Sequence, residues 1–299
     1  MDHFRVGIDG GGTRCRAAVA GADGRILGRG ISGAANILTD PETALVHIRL
    51  ATEAAFQEAG LPVSGLSSAT AVLGLAGNNV ADAVSFIAAR LPFAEAEIVS
   101  DVLIALQGAL GDRDGAVASL GTGTVYSIRQ QGTVSMFGGH GFKVGDLGSG
   151  ARLGQGLLQE ALLAHDGIRP ASPLTETVLA EFGHAPAAII AFAHAAHPAD
   201  YGRYAPSVFS AAAVGDPVAV DLVRTAARHI DQTLDAIVAR DVRTLCLVGG
   251  LAPLYRPWLT ERPGIEILDP TADALTGAVA LAVQRFASDP SPAQVEAAQ

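Results

Sequence analysis

Twice in this chain an apolar strand runs into a turn of nearly bare backbone and returns at once as a second strand. The first copy is GIDGGGTRCRAAVAG, Gly7 to Gly21, and the second lies in VASLGTGTVYSI, Val117 to Ile128. The two align when Gly12-Thr13 is laid over Gly123-Thr124. A repeat of this kind implies two related sheet units in tandem, and 299 residues is length enough for two cores. Because the glycines join strand to strand, the dinucleotide fingerprint, whose glycines open a helix, does not apply. There is also no GxxxxGK[ST], which excludes a P-loop.

Around these hairpins the pattern alternates. Phe4–Asp9 and Cys15–Ala20 read as strands, and GADG turns the second into Arg25–Gly30. Glu42–Gly60 has helical spacing, Ser68–Leu75 reads as a buried strand, Val80–Leu91 as a helix and Ala96–Ser100 as a short strand. Asp101 then opens a helix that ends near Gly111. After the second hairpin and QQGTVSMF the chain is mostly helical from Gly150 to about Arg240. It then gives a strand at Arg243–Gly250, another at Ile265–Leu268 and a last helix over Ala272–Phe286, with a frayed tail expected beyond. This is an α/β pattern.

Composition removes several function classes. A net charge of −10 argues against nucleic-acid or anionic-membrane partners, which require clustered basic residues. The two cysteines, Cys15 and Cys246, belong to no CxxC or Cys/His cluster, so neither a disulfide framework nor a zinc site is expected. MDHFRVGIDGG lacks a charged stretch followed by an apolar run, and the alanine-rich segment around Ala187–Ala196 is too short to span a bilayer. A soluble, cytoplasmic protein is expected.

A glycine hairpin lets a phosphate approach backbone N–H groups, since no side chain blocks it. Asp9, at the strand end, is placed to hold Mg²⁺ through water, and Thr13 adds a hydroxyl. A tight hairpin with no ligand reads the same, but LGTGT (Leu120–Thr124) could grip the other side of a triphosphate. LVGG (Leu247–Gly250) ends a third strand in glycine, suited to let an adenosine pass close. Phosphoryl transfer to a hydroxyl also needs an acid that accepts the proton. Asp101 opens a helix, where the dipole is expected to lower its pKa; by itself the position also suits a helix cap. Asn36 alone reads as a turn residue, Asp146 as a loop acid, and His140 and Lys143 as solvated loop positions.

DGGGT, SDVLIAL, SLGTGT, GDLGSG and LVGGLAP, in this order from Val6 to about Ala282, resemble the superfamily of actin, sugar kinases and heat-shock ATPases. Within it the chain is similar to the N-acetylglucosamine kinase and BadF/BadG/BcrA/BcrD ATPase-type family. The resemblance implies two ribonuclease H-like α/β domains, at 1–116 and 117–299, facing across a cleft, with the last helix packing back on the first. It implies MgATP as cofactor, bound by Asp9, Gly11, Gly12, Thr13, Gly121, Thr122, Gly123, Gly249 and Gly250. Asp101 matches the catalytic aspartate. Asn36, Gly139, His140, Gly141 and Asp146 match the sugar-binding positions. The implied activity is transfer from ATP to the 6-hydroxyl of N-acetylglucosamine or glucosamine, by a homodimer.

The chain departs from the family pattern in one loop: GGHGFKVGDLGSG stands where GGWG…GDEGS is usual, so His140 replaces tryptophan and Leu147 replaces glutamate. Imidazole offers a sugar much less flat apolar surface than indole. Two alternatives remain open at this point. One is an ATPase that activates a 2-hydroxyacyl-CoA dehydratase, which requires cysteine thiolates for an iron–sulfur cluster. The other is a non-catalytic sugar sensor.

Overall fold

The computed structural model describes residues 4–78 and 80–287; the expected frayed tail lies largely outside them. In chain order the elements are β1 (Arg5–Gly10), β2 (Cys15–Ala20), β3 (Ile26–Ser32), α1 (Pro41–Glu58), β4 (Thr70–Leu75), α2 (Ala81–Ala88), β5 (Glu95–Ser100) and α3 (Asp101–Leu110). Next come β6 (Gly115–Leu120), β7 (Thr124–Gln130) and β8 (Thr133–Gly138). Six helices follow: α4 (Gly150–His165), α5 (Pro173–Glu181), α6 (Pro186–Ala195), α7 (Pro198–Gly202), α8 (Ala205–Ala213) and α9 (Pro217–Val238). The chain ends with β9 (Thr244–Val248), α10 (Ala252–Tyr255), β10 (Glu266–Leu268) and α11 (Ala274–Arg285).

These elements form two units. The first holds the chain up to Asp112 and again from Pro270, and the second holds Arg113–Asp269. A division at 116/117 would cut through β6, and a second domain running to 299 would include α11, which belongs to the first unit. The physical reason is burial: beside α3, α11 covers apolar residues of one face of the first sheet.

That sheet has the order β3-β2-β1-β4-β5, antiparallel from β3 to β1 and parallel from β1 to β5. Alternation along the strands gives it two buried faces. Val6 and Ile8 of β1, with Ala71, Leu73 and Leu75 of β4, pack against Ile48, Ala51, Ala55 and Phe56 of α1. On the other face Val72 meets Ile104 of α3 and Ala278 of α11, while Ala18 and Ala20 meet Leu275 and Val279. Glycine permits the closest approaches. A Cβ on Gly30 would lie 2.0 Å from the Ala51 carbonyl oxygen, and one on Gly277 would lie 2.1 Å from that of Ile104.

The second sheet runs β10-β9-β6-β7-β8, the same path with five added to each strand number, and the same parallel and antiparallel neighbours. The internal repeat is therefore a repeat of topology. Where the first unit has α1 between its third and fourth strands, the second has α4 through α9. Ala116, Ala118, Leu120, Tyr126 and Ile128 face these helices in one core with Leu157, Val223, Ile230 and Tyr255. Among the described residues no single helix is long and apolar enough to cross a membrane.

Candidate active site

In the first unit, the residues singled out from sequence gather at the carboxyl ends of β1, β4 and β5. The β1–β2 hairpin closes with Gly11 N–H donating to the Arg14 carbonyl at 3.0 Å, leaving Gly12 and Thr13 exposed at its tip. A Cβ on Gly12 would meet no protein atom within 4 Å, so this stretch of backbone is open to a ligand. Gly10 is glycine for another reason: its Cβ would lie 2.6 Å from Leu75 Cδ2. The loop carrying Asn36 is stitched to the hairpin by Ala35 N–H donating to the Gly11 carbonyl at 2.8 Å. Asn36 Oδ1 accepts from Leu38 N–H at 3.0 Å and Thr39 N–H at 3.3 Å. It is thus the turn residue that local chemistry suggested, yet its amide N–H₂ meets no acceptor among the described residues.

Asp101 is the first residue of α3, and the cap is its neighbour: Ser100 Oγ accepts from Leu103 N–H at 3.2 Å. The serine frees Asp101 from that duty. Asp101 Oδ1 accepts from Val102 N–H at 3.0 Å. The expected lowering of its pKa by the helix start does not hold. Burial, with help from the negative charge of Asp9, pushes the carboxyl above its ordinary value and outweighs the backbone donors that act the other way.

Asp9 stands opposite Arg16 in the β1–β2 register. The guanidinium donates to Asp9 Oδ2 from Nε at 3.1 Å and from Nη2 at 2.5 Å, and from Nη1 to Asp273 Oδ2 at 2.9 Å. Arg16 and Asp273 were missed in the sequence. The hairpin register could have revealed Arg16, because counting outward from Gly10 and Cys15 pairs it with Asp9.

In the second unit the hairpin Gly121–Gly123 is held from behind. Gly150 and Ala151, at the start of α4, donate to the carbonyls of Gly121 (2.8 Å) and Thr122 (3.1 Å). A Cβ on Gly121 or Gly250 would meet nothing within 4 Å, whereas one on Gly249, at φ +95°, would lie 2.3 Å from the Leu120 carbonyl oxygen. One glycine of the LVGG pair is thus open to a ligand and the other is required by packing. Gly139 to Gly141, with exposed His140 between them, are tied to the same hairpin by Gly139 N–H donating to the Thr124 carbonyl at 3.1 Å.

Asp146, at φ +55°, lies against the hairpin: a Cβ on Gly123 would stand 2.8 Å from its Oδ2. Burial raises its pKa, while Arg152 and His140 act in the opposite sense. Behind it, the Tyr255 hydroxyl donates to the Gly148 carbonyl at 2.7 Å. Thr122 is exposed at the hairpin tip, as is Lys143 on the loop. Within each unit the expected residues therefore converge.

A family model described as the BadF/BadG/BcrA/BcrD ATPase family matches residues 6–282. The chain belongs to this family. Membership makes ATP the implied nucleotide. A glucosamine kinase of Vibrio cholerae serotype O1 is 36% identical over 281 residues, covering 94% of this chain and 96% of its own length. A candidate N-acetylglucosamine kinase from Chromobacterium violaceum has a solved structure that superposes with a TM-score of 0.88 at 33% identity, covering 95% of this chain and 99% of that one. A second candidate N-acetylglucosamine kinase, from Porphyromonas gingivalis, gives a TM-score of 0.72 at 22% identity and covers 94% and 99% of the two chains. At that identity it speaks for the fold alone.

The cysteines are poorly suited to an iron–sulfur cluster. Cys15 and Cys246 are both buried, and burial pushes their thiols up to about 12 and about 11, away from the thiolate a cluster requires.

Proposed function

We propose that this protein is an ATP-dependent amino-sugar kinase, transferring the terminal phosphoryl group to the 6-hydroxyl of glucosamine or N-acetylglucosamine, with Asp101 as general base. The observation that carries the reading is Asp101 itself. It is relieved of capping by Ser100, and its proton affinity is raised by burial beside Asp9. A carboxylate in that condition is a better acceptor for a hydroxyl proton than a solvated one, and general-base assistance is worth roughly 10²–10⁴-fold. The relatives support the amino-sugar class, one being named a glucosamine kinase and another a candidate N-acetylglucosamine kinase.

The residues present fit Mg²⁺ and a nucleotide. Asp9 Oδ2 is occupied by Arg16 while Oδ1 has no donor among the described residues, and no cage of three His, Cys, Asp or Glu exists among them. One carboxylate oxygen plus water and phosphate oxygens is how proteins commonly hold Mg²⁺. When bound, MgATP supplies the phosphoryl group and the neutralising charge. The chain supplies open backbone at Gly12 and Gly121 for phosphate oxygens and at Gly250 for the nucleoside. Thr13 and Thr122 supply exposed hydroxyls. Among the described residues the Asn36 amide N–H₂ has no acceptor and is left for a sugar oxygen, and the Gly139–Gly141 loop borders the Gly121–Gly123 hairpin of the second unit. Water exclusion around Asp101 keeps its carboxylate basic.

The test is ADP release with MgATP against glucosamine, N-acetylglucosamine, N-acetylmannosamine, glucose and no sugar, followed by locating the phosphate on the product. Strong stimulation by an amino sugar, a 6-phosphate product and loss in Asp101→Asn support the reading. Hydrolysis that ignores the sugar would sink it.

A further inference from the structure

We infer that Arg16 is a positioning residue for the metal-facing carboxylate, holding Asp9 by one oxygen so that the other is presented to a divalent cation. This rests on the reading of Asp9 as the Mg²⁺ carboxylate. The geometry is specific. Both hydrogen bonds from Arg16 to Asp9 end on Oδ2, at 3.1 and 2.5 Å, and Oδ1 receives none from a described residue. The third arm, Nη1, reaches Asp273 Oδ2 at 2.9 Å. Asp273 is itself fixed: its Oδ1 caps α11 by accepting from Thr276 N–H at 2.9 Å and the Thr276 hydroxyl at 2.7 Å. The guanidinium is thus clamped between a carboxylate that cannot swing and the one it orients.

Burial supports the same role. The side chains of Arg16 and Asp9 are only 25% and 19% exposed, so solvent competes weakly for the contact. A lysine could not reproduce it, since a point charge lacks the fork that engages Asp9 and Asp273 together. An ordinary exposed ion pair would tolerate that change.

The experiment titrates Mn²⁺ into the full-length protein with ADP, reading free Mn²⁺ by electron paramagnetic resonance, for wild type, Arg16→Gln, Arg16→Lys, Asp273→Asn and Asp9→Asn. Metal-free ADP affinity and the sugar KM are measured alongside. Loss of a residue that orients a metal carboxylate typically weakens binding by about 10–100-fold. That loss is expected for Arg16→Gln, with Arg16→Lys and Asp273→Asn intermediate and with ADP affinity and sugar KM little changed. If Asp9→Asn weakens Mn²⁺ binding while folded Arg16→Gln does not, the inference about Arg16 is wrong and the metal reading survives. If Asp9→Asn also binds Mn²⁺ as wild type does, the metal reading itself falls. Should Arg16→Gln fail to fold, Arg16→Lys decides, and wild-type Mn²⁺ affinity there overturns the role.

Discussion

At the scale of single residues, the proposed base Asp101 would set function against stability. Its carboxyl holds a proton more tightly in the folded protein than an ordinary aspartate does, because burial disfavours the charge. The ionised form therefore costs stability at neutral pH. That cost shrinks as pH falls through the raised folded value, and it is gone below the ordinary carboxylate range. Asp101→Asn is expected to lower kcat by roughly 10²–10⁴-fold while leaving Tm at neutral pH equal to or above wild type. The Tm difference should close in acid; a variant that is clearly less stable at pH 7 would contradict this account. Turnover of the wild type should fall with acid at a higher pH than an ordinary aspartate would give, which a kcat–pH profile reads directly.

At the scale of elements, the glycines that end the strands divide into two kinds that look identical in the sequence. Gly12 is open, so Gly12→Ala is expected to keep the fold and weaken nucleotide binding. Gly249 has φ +95° and no room, so Gly249→Ala strains the backbone and drives a methyl group into the Leu120 carbonyl. Overpacking of that kind typically costs about 1–3 kcal/mol. Urea unfolding together with ADP titration separates the two, and a stable Gly249→Ala protein would show that the loop relaxes easily. The same division explains what was legible here. DGGGT and LGTGT announced turns, but which glycine serves packing depends on Leu75, Asp146 and Leu120, brought in by other strands and loops.

At the scale of the whole molecule, the returning segment decides the integrity of the first unit. Gly7, Ala18, Ala20 and Val72 lie on the sheet face that α11 and α3 cover, and Gly108 and Gly277 let those two helices touch backbone to backbone. A polypeptide ending at Asp112 would expose this apolar face and is expected to aggregate. One in which residues 270–287 are joined back through a flexible linker is expected to fold. Circular dichroism and gel filtration of the two polypeptides check this, and a soluble, cooperatively folding 1–112 would refute it.

The sequence by itself determined the alternation of strands and helices, the two glycine hairpins and the order of the motifs. Each of these depends on neighbours within a few residues, through periodicity and turn chemistry. It also marked Asp9, Asn36, Asp101 and Asp146 as residues of interest. The return of α11 to the first unit was already implied by the family resemblance; only the tertiary structure decided that Ser100 and not Asp101 caps α3 and that burial raises the Asp101 pKa against the helix start. It also brought Asp273 to Arg16 across 257 positions of sequence. Desolvation and long-range pairing are set by which surfaces meet, and a linear pattern does not carry that information.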